Sequence, residues 1–177
     1  NEHSLSLLGA VIIAPVVEEI VKSIYLFRTY KKNYFDNLTD GLVYGAAIGL
    51  GFGMTENLLY FTVYDANLSE WISVVFIRSL FSAVMHAIAT AAIGAILAKI
   101  KFSSRKVNSN LILSGLLIAI VIHSIWNLSM SFNYTFIFGI IFMVIMIISF
   151  IILFRYSLKR ELKIIAAELN DELHWLI

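Results

Sequence analysis

Apolar residues gather in five long runs along this chain, and polar residues cluster between them. The runs cover residues 5–27, 38–64, 71–98, 111–130 and 136–154. Each offers about 20 helical residues, the length that crosses a hydrocarbon core. Ten-residue alternation of apolar and polar positions is missing, which argues against a membrane β-barrel. The pattern predicts an all-α polytopic transmembrane bundle of at least five spans. Beyond residue 154 the apolar positions are Leu158, Leu162, Ile165, Leu169, Leu173 and Leu176. Their steps of three and four predict an amphipathic C-terminal helix. It could lie on the membrane, extend the fifth segment or pair with another chain. The chain therefore divides into a membrane domain, 1–157, and an amphipathic helix, 158–177.

The connections differ in charge. The first holds Arg28, Lys31 and Lys32, the third Lys99, Lys101, Arg105 and Lys106, and the tail Arg155, Lys159, Arg160 and Lys163. The second and fourth hold no Lys or Arg. By the positive-inside rule the N-terminus faces outside and the C-terminus faces the cytoplasm.

Composition sharpens this picture. The chain is 60% hydrophobic and 14% charged, where soluble domains carry about 25% charge. Mean hydropathy is +0.87. Cysteine is absent, which excludes disulfides, thiolate metal sites and a cysteine nucleophile. A net charge of +1 gives no reason to expect nucleic acid. The first residues carry Glu2 and His3 without a basic stretch, unlike a signal peptide.

Seven ionisable residues interrupt the apolar runs: Glu18, Glu19, Lys22, Glu56, Arg78, His86 and His123. A charge at a bilayer centre costs roughly 2.5–3.5 kcal/mol on insertion scales, so intramembrane charges are rare and usually functional. Three carboxylates with two histidines form a ligand-and-base set suited to metal-assisted hydrolysis. Pro15 favours a kink just before Glu18 and Glu19. Lys22 lies i+4 and i+3 from the two glutamates and reaches either. Glycines at 41, 45, 49 and 53 form an i+4 stripe leading toward Glu56, which would bring a neighbouring backbone close. Arg78, Ser82, His86 and Thr90 form a polar stripe on the third segment. On the fourth, Asn127 shares a face with His123, where it could orient the imidazole or donate to a developing oxyanion. Straight-helix arithmetic puts Glu18, Glu19, His86 and His123 in the outer half to middle of the membrane, with Glu56 the outlier nearer the outer face. The same groups could instead build a proton relay in a transporter, or lock helices in a non-enzymatic scaffold.

Four stretches together resemble the PrsW-type intramembrane protease family, itself similar to the CAAX-processing endoproteases and the Abi bacteriocin-immunity proteins. They are the run from Ala14 through Glu18-Glu19 to Lys22, the run from Asp40-Gly41 to Glu56-Asn57, Arg78 with His86, and His123 through Trp126-Asn127. The resemblance implies a membrane-embedded peptidase in a prokaryotic plasma membrane. Its substrate would be a membrane-anchored protein such as an anti-sigma factor. Glu18 or Glu19 would activate water, supported by Lys22 and Asn127. His86, His123 and Glu56 would hold a divalent metal, zinc before others, with a metal-free glutamate mechanism as the alternative. The Abi likeness keeps an immunity or scaffold role open.

Overall fold

A computed structural model describes residues 2–102 and 109–175. Arg105, Lys106 and Leu176 fall outside the described residues. The elements are α1 (Glu2–Leu8), a π-helical stretch (Gly9–Ile13), α2 (Ala14–Tyr30), α3 (Leu38–Val63), α4 (Leu68–Ile77), a second π-helical stretch (Arg78–Ser82), α5 (Ala83–Lys101), α6 (Ser109–Met130) and α7 (Phe136–Trp175). Uninterrupted helical runs make five helices long and apolar enough to cross a membrane: Ser4–Tyr30, Leu38–Val63, Leu68–Lys101, Asn110–Met130 and Phe136–Glu172. No strand occurs among the described residues. The expected all-α polytopic bundle is what the chain forms.

The third run lies at the centre. Its apolar window is 61% buried, against 11–28% for the others. Small residues make that possible. Gly41 lies against Gly94 and Ala98, Gly45 against Thr90 and Ala91, Gly49 against His86 and Ala87, and Gly53 against Ala83 and the His86 ring. A Cβ at any of the four would overlap atoms of α5. The stripe thus brings the backbones of α3 and α5 into direct contact, as small-residue stripes do in membranes. The apolar core beside this seam includes Leu26, Met85, Ile93, Leu97, Trp126 and Met143. Large apolar side chains such as Ile24, Leu58, Ile137 and Ile152 cover the outside, where lipid replaces water as solvent.

Pro15 stands in the first turn of α2. Just before it, the Ala14 amide donates to Gly9 O, five residues back. A proline has no N–H to give, so the carbonyl of Ala10 loses its helical donor. Asn127 Nδ2, on α6, donates to that carbonyl at 2.8 Å. The second π-helical stretch has a matching brace. Arg78 O accepts from the Ala83 amide and from Asn57 Nδ2 on α3 at 3.1 Å. π-Bulges of this kind re-aim a helix and recur at functional sites.

Helix starts follow ordinary capping chemistry. Asn37 accepts from the Asp40 amide at 2.8 Å, and Asn67 from the Glu70 amide at 3.1 Å. Asp40 itself accepts from the Asp36 amide at 2.7 Å. These short polar side chains satisfy otherwise orphaned N–H groups. Of the three possibilities for the tail, the structure has the amphipathic run continue the fifth segment. α7 passes through residues 157 and 158 without a break. Glu161 accepts from Asn37 Nδ2 at 3.0 Å, tying this extension to the start of α3.

Candidate active site

Four helical runs deliver the intramembrane polar groups to one place. Glu18, Glu19 and Lys22 come from α2, Glu56 and Asn57 from α3, His86 from α5 with Arg78 just ahead of it, and His123 from α6. Glu19 is 0% exposed, Lys22 and His86 each 1%, and His123 2%. Buried charges are tolerated only when paired or coordinated, and these form a continuous network. Lys22 Nζ donates to Glu19 Oε1 and to His86 Nδ1, the latter at 3.0 Å. His123 Nδ1 donates to Glu19 Oε1 at 2.9 Å. The His86 and His123 rings meet edge to face, 4.7 Å apart.

An ammonium has no acceptor, so Lys22 makes His86 Nδ1 an acceptor and leaves the proton on Nε2. That proton goes to Glu56 Oε2 at 2.8 Å. Glu56 Oε1 accepts from Arg78 at 2.7 Å. The guanidinium lies over the Tyr60 ring, 4.2 Å from its centre, and its Nε donates to Asn57 Oδ1 at 3.0 Å. Asn57 therefore grips Arg78 twice, through side chain and carbonyl. Sequence reasoning did not single out Asn57, although its i+1 position after Glu56 and its place in a membrane span offered a signal.

Adjacent glutamates point in different directions on a helix, and here they meet different surroundings. Glu19 is engaged by Lys22 and His123. Glu18 is half-buried, and its Oε2 lies 3.8 Å from His123 Nε2. That oxygen is buried without a hydrogen-bond partner. One donor atom each from Glu18, His86 and His123 lies within 4.8 Å of the other two. Two imidazoles and a carboxylate suit zinc and similar divalent ions. An orphaned buried oxygen facing the same point is what such an ion would satisfy. This donor set fits a metal.

Two expected placements differ. Glu56, expected as a metal ligand, lies outside this convergent group and braces His86 instead. The glycine seam explains why: it lays Gly53 against the His86 ring, and Glu56 follows one turn later on α3. Asn127, expected beside His123, is turned to the Ala10 carbonyl that Pro15 leaves without a donor. Arg78, from the polar stripe of the third segment, turns inward to Glu56.

Comparisons with known proteins give the chain a family. The family model described as PrsW family intramembrane metalloprotease matches residues 1–153. Protease PrsW of Oceanobacillus iheyensis is 33% identical over 113 residues, covering 63% of this chain and 49% of that protein. Protease PrsW of Bacillus subtilis is 31% identical over 108 residues, 60% of this chain and 47% of the relative. Protease PrsW of Clostridioides difficile is 26% identical over 125 residues, 70% and 52% respectively. The chain thus spans about half the length of the curated relatives it matches. No solved structure matches it. With the family model covering most of its length, the chain belongs to the PrsW family of intramembrane metalloproteases.

Proposed function

We propose that this chain is a membrane-embedded endopeptidase that hydrolyses a peptide bond of a membrane-anchored protein substrate. The observation that carries the proposal is the convergence of Glu18, His86 and His123 from three helices, with the buried Glu18 Oε2 unpartnered at the meeting point. Membership of a metalloprotease family supports it. An anti-sigma factor is the substrate type that this reading favours.

In this mechanism Glu18 takes the proton of the attacking water, because it is the glutamate that converges with His86 and His123, while Glu19 is fully buried with Oε1 held by Lys22 and His123. Glu19 holds His123 through Nδ1, leaving Nε2 directed toward Glu18. Glu56 and Lys22 together fix the tautomer and tilt of His86. Carboxylates that bond the far nitrogen of a histidine orient it and raise its basicity. His86 and His123 would hold a divalent ion with Glu18 beside them. When bound, zinc or a similar ion would polarise the scissile carbonyl and lower the pKa of water. Asn127 supports the site indirectly, by holding the π-helical turn that aims α2. Alternating Lys and Arg between connections supports an outside N-terminus and a cytoplasmic C-terminus, in a prokaryotic plasma membrane.

A metal-free glutamate mechanism is the second reading. It is favoured by one observation: both ring nitrogens of His86 are in hydrogen bonds, so coordination there requires Lys22 to move. Cleavage of an internally quenched single-span peptide by reconstituted protein tests the function. Glu18→Ala, Glu19→Ala, His86→Ala and His123→Ala should each lose turnover while inserting normally. Full activity in all four would sink the proposal.

A further inference from the structure

A cavity of about 460 Å³ opens between α2 and α3. Val21, Tyr25, Phe52 and Leu59 line it, and Lys22 and Glu56 supply its polar wall. Those two residues are the ones that hold His86. The cavity therefore runs directly up to the cluster. Its outer lining faces lipid: Val21 is 38% exposed, Tyr25 57% and Leu59 64%.

Gly51 also lines this cavity, and it differs from its neighbours. Gly41, Gly45, Gly49 and Gly53 are required by the seam with α5. A Cβ on Gly51 would meet nothing within 4 Å. A glycine inside a helix costs about 1 kcal/mol relative to alanine, and packing inside the protein does not account for this one. The missing side chain keeps the cavity floor flat where α3 passes the site.

We propose that this cleft is the lateral entry and binding groove for the substrate: a membrane-embedded polypeptide segment enters from lipid between α2 and α3 and lies across Gly51. The proposal rests on the peptidase reading of the adjoining cluster. A peptide suits the groove better than a lipid tail does. A peptide unit offers both a carbonyl and an N–H, which can meet the donor Lys22 and the acceptor Glu56. An acyl chain offers neither and gains nothing from this polar wall. The apolar lining takes side chains, and Gly51 sets the room left for the one that passes over it.

The absence of cysteine from the chain allows a clean test. Gly51→Cys, and Leu58→Cys as a reference on α3 outside the cavity, are each made with Glu18→Gln so that bound peptide stays intact. The proteins are reconstituted in phosphatidylcholine/phosphatidylglycerol vesicles. The probe is a single-span peptide of about 25 residues with a Gly/Ala/Ser-rich centre. Alkylation by N-ethylmaleimide is timed with and without it. A filled pocket hides most of its lining, so the peptide should slow labelling of the Gly51→Cys thiol about tenfold and leave the Leu58→Cys thiol unchanged. Equal rates with and without peptide would overturn the proposal. Labelling that follows acyl-chain length and ignores the peptide would overturn it too, and assign the groove to lipid. The same peptide is offered to the chain with Glu18 intact. Cleavage without protection defeats the groove alone, and protection without cleavage defeats the peptidase reading alone.

Discussion

The two sides of α3 follow opposite rules. Toward α5, four glycines press backbone on backbone until no Cβ fits. Toward α2, Gly51 borders open space and the helices part around a cavity. The tight side fixes where Glu56 and His86 sit, because any slip along the seam would move both. The loose side leaves a way in from the membrane. A glycine in a membrane helix thus has a meaning only once its neighbour is known. Here one helix uses the same residue type for contact and for vacancy.

Four substitutions would break or sharpen this contrast. Gly49→Val should do the most damage. Its Cβ overlaps the His86 carbonyl, so unfolding in detergent should ease by about 3 kcal/mol and cleavage should vanish with it. Glu18→Gln comes next and separates chemistry from packing. Cleavage of a single-span peptide should fall about 10²–10⁴-fold, the usual worth of a positioned acid–base group. Its unfolding midpoint should stay where it is. Asn57→Ala, on the tight side, leaves Arg78 without two partners. A loss of about 1–3 kcal/mol in unfolding free energy is expected, as for other abandoned buried groups. Slower turnover should accompany it as Glu56 loses its anchor. Gly51→Ala should do least and in the opposite direction, a gain of about 0.4–1 kcal/mol. If Gly51→Ala destabilised as much as Gly49→Ala, the two sides of α3 would not differ as described.

Much of this architecture was legible before the fold. Five apolar runs marked five spans because lipid tolerates little else. Charged residues inside those runs pointed to the polar cluster because a bilayer makes each one costly. The i+4 glycine stripe announced a close helix contact leading toward Glu56. What was not legible depends on how helices cross. Straight-helix depths made Glu56 the outlier, because they assume parallel rods starting from one plane. The antiparallel seam instead sets Gly53 against His86 and carries Glu56 along. Likewise, Asn127 looked like a partner of His123 from i+4 spacing alone. A π-helical turn ahead of Pro15, invisible in the hydrophobic pattern, supplied the carbonyl that claims it. The Arg78–Asn57 grip was missed because it joins two helices through a backbone carbonyl that only a second π-helical turn presents. Continuity of α7 past residue 157 could not be decided from an amphipathic pattern that suits several settings.

In the proposed mechanism His86 and His123 hold a divalent ion beside Glu18, the water-activating carboxylate. Elemental mass spectrometry on detergent-purified protein tests it most directly, with wild type beside the His86→Ala/His123→Ala double variant. About one zinc or similar ion per wild-type chain, lost in the double variant, is the predicted result. A wild-type preparation that cleaves peptide while carrying no metal would contradict it and leave the glutamates to act alone.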